Sequence, residues 1–147
     1  MNALPVAYTE FGQTLAFTER TLSTVLRTHL AERNIEPETW YALKLVAVGS
    51  PGVARDSLVR DLEGSRGMDA ASTRALLARL MADGLIVGDD AVDLTEEGTA
   101  LFESLREHVL GATVGLLDQF DLNDIETTVR TLKAITRRSQ EENQSAA

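Results

Sequence analysis

Few residues of this chain carry chemistry, and arginines are the first to weigh. Between positions 70 and 82 stand Arg74 and Arg79 with no acidic residue, a local charge of +2. The wider window 53–94 holds five Arg and eight acidic residues, a charge of −3. An arginine on a surface free of acids can reach a guanine edge with two parallel hydrogen bonds, and a serine beside it can reach a phosphate or a base. Arg74 and Ser72 fit those roles, while Ala71 and Ala75 offer contact only to a thymine methyl. Arg55, Arg60 and Arg66 fit phosphate contacts. Asp69 reads as a helix cap rather than a functional acid.

Catalysis finds no such foothold. There is no Cys among the 147 residues, which removes disulfides, thiolate metal sites and thiol nucleophiles together. Only two His, His29 and His108, are available, and no metal site or cofactor is expected from them. The paired acids Asp89-Asp90 and Glu96-Glu97 are chain neighbours, whose side chains point apart, so neither pair resembles a general acid–base couple. Gly49-Ser50-Pro51-Gly52 lacks the Lys of a phosphate-binding loop. The chain reads as not an enzyme. Its net charge of −9, from 14 basic and 23 acidic residues, also excludes a nonspecific polycation. No apolar run is long enough to cross a bilayer, so a cytoplasmic location is expected.

The elements that must position these residues are helical by their apolar spacing. A first helix from about Thr9 to Arg33, capped by Thr9, aligns Phe11, Leu15, Leu22, Leu26 and His29. Asn34-Ile35 interrupts it, and Pro37 opens a second helix carrying Trp40, Leu43 and Val46. A short third helix runs from near Asp56 to Glu63. The segment Gly64 to Met68, including Arg66, reads as a turn, and Asp69 caps a fourth helix ending at Ala82. That helix turns Thr73, Leu76, Leu77 and Leu80 inward and Ala70, Ala71, Ser72, Arg74, Ala75, Ala78 and Arg79 outward. Leu85-Ile86-Val87 and Ala91 to Leu94 flank Gly88-Asp89-Asp90 as a hairpin. Thr95 caps a long fifth helix containing Leu101 to Phe120, and a sixth begins after Asp121. The polar segment 139–147 is expected to fray.

Two helices, a helix-turn-helix, a hairpin and two more helices make a mostly α chain with a winged helix-turn-helix at 53–94. The helices of 9–48 and 96–140 expose more apolar surface than one small domain can cover, which predicts a homodimer built from them.

In that order, Ile35-Glu36-Pro37-Glu38-Thr39-Trp40-Tyr41-Ala42-Leu43, the helix-turn-helix from Leu62 to Leu80, Gly84-Leu85-Ile86 and Leu94-Thr95-Glu96-Glu97-Gly98 resemble the MarR family of winged helix-turn-helix regulators. The resemblance spans roughly 9–140. It implies one MarR-like domain over 1–147, a homodimer on a pseudo-palindromic duplex, and a repressor released by a small-molecule effector. The effector cleft it implies lies between the dimer helices and the winged domain, lined by Trp40 or Tyr41; His29, on the apolar stripe of the first helix, is a separate ligand-binding candidate. Two features depart from the family. Its wings usually carry an Arg for the minor groove, whereas the nine residues Leu85 to Asp93 contain no Arg or Lys and place Asp89-Asp90 at the tip. Glu63-Gly64 stands where a small residue usually follows the Leu. The other reading is therefore a winged-helix dimer with weak or lost DNA binding, serving as a protein-interaction or small-molecule-binding module.

Overall fold

The computed structural model describes residues 3–146. Among them the order is α1 (Val6–Ala31), α2 (Pro37–Gly49), β1 (Val53–Ala54), α3 (Arg55–Arg66), α4 (Ala70–Ala82), β2 (Ile86–Val87), β3 (Ala91–Leu94), α5 (Glu96–Leu117) and α6 (Leu122–Ala146). The chain divides into two compact units, 1–109 and 110–147, with the cut inside α5.

Helix boundaries follow from local chemistry, with corrections to the sequence reading. α1 starts at Val6 behind Pro5, not at Thr9. Thr9 lies within the helix, where its hydroxyl donates back to the Val6 carbonyl at 2.9 Å instead of capping. Proline at the start of α2 stands where its missing N–H is not needed. α3 continues past Glu63 to Arg66, so Gly64 is helical and the turn shrinks to Gly67, Met68 and Asp69. Gly67, at φ 64°, takes the left-handed conformation that ends the helix. Arg66 accordingly belongs to the last turn of α3. α5 stops at Leu117, leaving Phe120 in the connection to α6 rather than on the helix. The segment 139–146 is helical in α6, and Ala147 lies outside the described residues.

Within 1–109 the core is built by Leu30, Leu43, Val46, Leu58, Leu62, Leu76, Leu77, Leu80, Ile86, Val92 and Leu105. Trp40 joins it and stacks on Phe102, with ring centres 5.4 Å apart and planes 17° from parallel. The hairpin is present as expected, with Ile86 opposite Leu94 and Val87 opposite Asp93. β1 adds a third strand that sequence patterning did not suggest, pairing Val53 with Val92 in the order β1-β3-β2. Two residues are too few for an alternating pattern to register.

Wing and α5 are joined through Thr95. Its hydroxyl donates to the Gly84 carbonyl and accepts from the Gly98 N–H at 2.9 Å, while its own N–H reaches the Leu85 carbonyl at 3.0 Å. Gly98 is required there, since a Cβ at that position would lie 1.9 Å from the Leu85 carbonyl oxygen. α1 exposes Phe11, Leu15, Phe17, Leu22 and Val25 within its own unit. In the unit 110–147, Val114, Phe120, Leu122 and Val129 are likewise exposed.

Candidate nucleic-acid interface

The face of α4 is set by its start and by its core. Asp69 caps it, one carboxylate oxygen accepting from the Ser72 N–H at 2.7 Å. That backbone hydrogen bond, with the Ser72 hydroxyl, holds the Asp69 carboxyl below its ordinary range. Thr73, Leu76, Leu77 and Leu80 are buried, and the Thr73 hydroxyl is satisfied by the Asp69 carbonyl at 2.9 Å. The helix is thereby fixed in rotation. Ala70, Ala71, Ser72, Arg74, Ala75, Ala78 and Arg79 are all exposed, the set anticipated from spacing.

The five arginines of 53–94 have different surroundings. Arg74 makes no hydrogen bond or ion pair among the described residues and projects from a helix without acidic side chains. Arg79 extends from the same surface to α2, meeting Glu36 Oε2 at 3.3 Å and the Thr39 hydroxyl at 3.5 Å. Among the described residues Arg60 donates only to Ser57, within α3, and is exposed.

Arg55 and Arg66 are engaged within the fold. The Arg55 side chain donates to the carbonyls of Asp89 at 2.7 Å and Gly88 at 3.3 Å, and its backbone N–H reaches the Asp90 carbonyl at 2.8 Å. It therefore fastens the wing turn to the start of α3. The acidic tip remains exposed, with Asp89-Asp90 at its end. Arg66 lies over the Tyr41 ring, its guanidinium carbon 3.8 Å from the ring centre, and its Nε is buried without a hydrogen-bond partner among the described residues.

That pair forms one wall of a small cavity of about 80 Å³. Ser23, Leu26 and Arg27 of α1 and Pro37 and Glu38 of α2 line the rest. Of the three residues expected near an effector, only Tyr41 reaches this cavity. Trp40 is buried in the core. His29 lies elsewhere, at the end of α1, edge-on to His108 with ring centres 5.3 Å apart. Both imidazoles face Glu32. Sequence reading missed this grouping because Glu32 and His108 are 76 positions apart and no spacing rule connects them.

No protein-family model matches the chain, and no curated protein sequence does. Solved structures do. A MarR family protein from Bacillus stearothermophilus superposes with a TM-score of 0.73 at 20% identity, covering 94% of this chain and 99% of that one. The chain has the MarR-type fold. Staphylococcus aureus MarR, in complex with salicylate and kanamycin, gives a TM-score of 0.74 at 18% identity over 92% of this chain and 93% of its own. A Mycobacterium tuberculosis MarR family protein in complex with DNA gives 0.67 at 18% identity, covering 90% of this chain and 98% of the other. In this MarR-like chain α4 is the second helix of the helix-turn-helix, and β2 with β3 is the wing. No helix among the described residues is long and apolar enough to cross a membrane.

Proposed function

We propose that this MarR-like chain is a homodimeric, DNA-binding transcriptional regulator, a repressor that leaves its site when a small-molecule effector binds. One observation carries the reading: α4 presents an exposed, acid-free face on which Arg74 has no partner among the described residues and Ser72 stands half a turn away. A major groove admits such a helix, and Arg74 pairs there with a guanine edge. Ala71 and Ala75 permit close approach. Affinity comes from few contacts, since the wing tip carries Asp89-Asp90 and Arg55 is spent on the wing's own carbonyls.

Dimerisation is supported by exposed apolar side chains on α1 and, separately, on the unit 110–147, which a second copy of the chain would cover. An effector role is supported by the cavity beside Tyr41 and Arg66, where the cation and the aromatic face suit a small aromatic anion. A neighbour in fold was solved with salicylate, a molecule of that kind. The absence of thiols and of acid–base couples in the sequence favours a binding protein over an enzyme.

A second reading has its own observation. Arg55, Arg66 and Arg79 all have partners within the fold, and the chain carries −9. A winged-helix dimer with weak DNA binding, serving as a protein-interaction or small-molecule module, is consistent with that distribution. Fluorescence anisotropy with a duplex from the region upstream of the chain's own gene, against a scrambled duplex at two salt concentrations, separates them. Submicromolar, sequence-dependent binding that weakens with salt supports the regulator. No preference between duplexes, even at low salt, supports the module.

A further inference from the structure

We propose that His29, Glu32 and His108 form a binding site for a divalent transition-metal ion of the zinc type, which clips the end of α1 to α5. His29 and Glu32 are three residues apart at the C-terminal end of α1, so their side chains share a face. His108 approaches from α5. One ligand atom from each lies within 4.8 Å of the other two.

The distances lie within small side-chain movements of those around a tetrahedral ion. Bonds of about 2.0–2.2 Å at tetrahedral angles put donor atoms roughly 3.3–3.6 Å apart. Glu32 Oε2 is 3.0 Å from His108 Nε2 and 3.8 Å from His29 Nδ1, values on either side of that spacing. As a hydrogen-bonded cluster the group is incomplete. His108 is satisfied by Glu32, but the Nδ1 of His29 is buried with no partner. An ion accepts a lone pair from that nitrogen and from His108, while the carboxylate supplies the opposite charge. The rings stand at 78° to each other, so their lone pairs need not compete for one direction.

Two imidazoles and one carboxylate suit zinc over the hard ions calcium and magnesium, which take all-oxygen shells. The side chains keep between 23% and 53% of their exposure, which leaves water room to complete the shell. The neighbouring contact from Arg33 to Ser104, at 3.3 Å, already holds the end of α1 against α5 one turn before His108. Binding therefore needs only small side-chain movements. The site lies wholly within 1–109 and does not depend on the regulator reading.

The test uses the full chain without a polyhistidine tag. Zinc is titrated against a chromophoric chelator, and cobalt(II) is added separately to read coordination by its visible spectrum. One ion per chain, with the intense visible bands of tetrahedral cobalt, is expected. His29→Gln and His108→Gln should each raise the zinc dissociation constant by more than about tenfold and abolish those bands. Glu32→Gln, at an exposed position, removes the carboxylate without disturbing packing and should weaken binding likewise. Far-UV circular dichroism identifies any variant that misfolds, and the wild-type cobalt spectrum then decides without it. The proposal is overturned by no saturable binding, by an octahedral cobalt spectrum in the wild type, or by affinity unchanged in either folded histidine variant.

Discussion

Arg66 and Tyr41 form a stacked cation–aromatic pair, the guanidinium carbon 3.8 Å above the ring centre, joining the last turn of α3 to the first turns of α2. The contact gives Arg66 a structural task that its position beside a helix-turn-helix turn conceals. Its Nε is shielded from solvent, so the guanidinium is held by packing as well as charge. A double-mutant cycle with Arg66→Ala and Tyr41→Leu, followed by urea unfolding, should give a coupling energy of about 0.5–1 kcal/mol. In duplex titrations Arg66→Ala should leave the salt dependence of binding unaltered, whereas loss of a phosphate contact would lower the slope by about one. Additive effects on stability together with a lowered slope would return Arg66 to the DNA surface.

Gly98 offers a test of the joint between wing and α5. A methyl group there would sit 1.9 Å from the Leu85 carbonyl oxygen, which is backbone and has little room to move. Since the Leu85 carbonyl also accepts the Thr95 N–H, displacing it loosens the Thr95 cap as well. Gly98→Ala should therefore destabilise the chain by about 1–3 kcal/mol in denaturant unfolding, despite alanine's higher helix propensity. A neutral or stabilising result would mean that the joint can open without cost.

These two contacts mark the limit of what spacing reveals. The faces of α4 were legible because Thr73, Leu76, Leu77 and Leu80 recur with helical period and Asp69 has the chemistry of a cap. The hairpin was legible because Gly88-Asp89-Asp90 interrupts two apolar segments. Local rules failed where two endings were chemically plausible. Gly64 looked like a helix terminus, yet Gly67 supplies the left-handed residue, and the helix uses the later one. Thr9 had the right type for a cap, but a threonine hydroxyl is equally content with a carbonyl one turn back.

Contacts distant in sequence left no trace of that kind. Arg55 has the same composition-level signature as Arg74, an arginine near the helix-turn-helix. Only tertiary structure turns Arg55 onto the wing carbonyls and leaves Arg74 unpaired. In the sequence His29 reads as a solitary histidine on the apolar stripe of the first helix, and His108 as an unrelated second one. Their meeting at Glu32 follows from the packing of α1 and α5 within 1–109, which no periodicity encodes.

Acid should act on α4 through its cap. The Asp69 carboxyl is held below its ordinary range chiefly by the Ser72 backbone hydrogen bond, so the folded chain favours the ionised form. The unfolded chain binds the proton at higher pH than the folded one does. The stabilisation is thus complete above the unfolded value, near pH 4, and is lost as pH falls through the lower folded value. Asp69→Asn retains a capping oxygen but removes the titration. Thermal midpoints measured between pH 6 and pH 3 should fall less steeply for that variant than for the wild type. Parallel curves would assign the acid sensitivity to other carboxylates.

Arg74 decides between the two functional readings, because it is the α4 side chain with the reach for a base edge and no competing partner among the described residues. Its removal costs the fold nothing visible: it is exposed, the core face of α4 lies opposite, and the Asp69 cap is independent of it. Arg74→Ala should leave the thermal midpoint nearly unchanged while weakening binding to a specific duplex by about 1–3 kcal/mol, or roughly 5- to 150-fold. Arg79→Ala provides the contrast. That side chain is shared with Glu36 and Thr39, and the exposed ion pair contributes little to stability, so its loss should weaken duplex binding less than loss of Arg74. Arg74→Lys separates charge from geometry, since lysine retains the phosphate attraction but cannot repeat the two-pronged contact. If lysine restores nonspecific affinity without sequence preference, Arg74 reads a base. If it restores both, Arg74 contacts phosphate, and specificity must come from Ser72 or from the shape of the duplex. Equal binding by wild type and Arg74→Ala, at any salt concentration, would remove Arg74 from DNA recognition and, with no preference between duplexes, leave the small-molecule or protein-interaction module as the reading that stands.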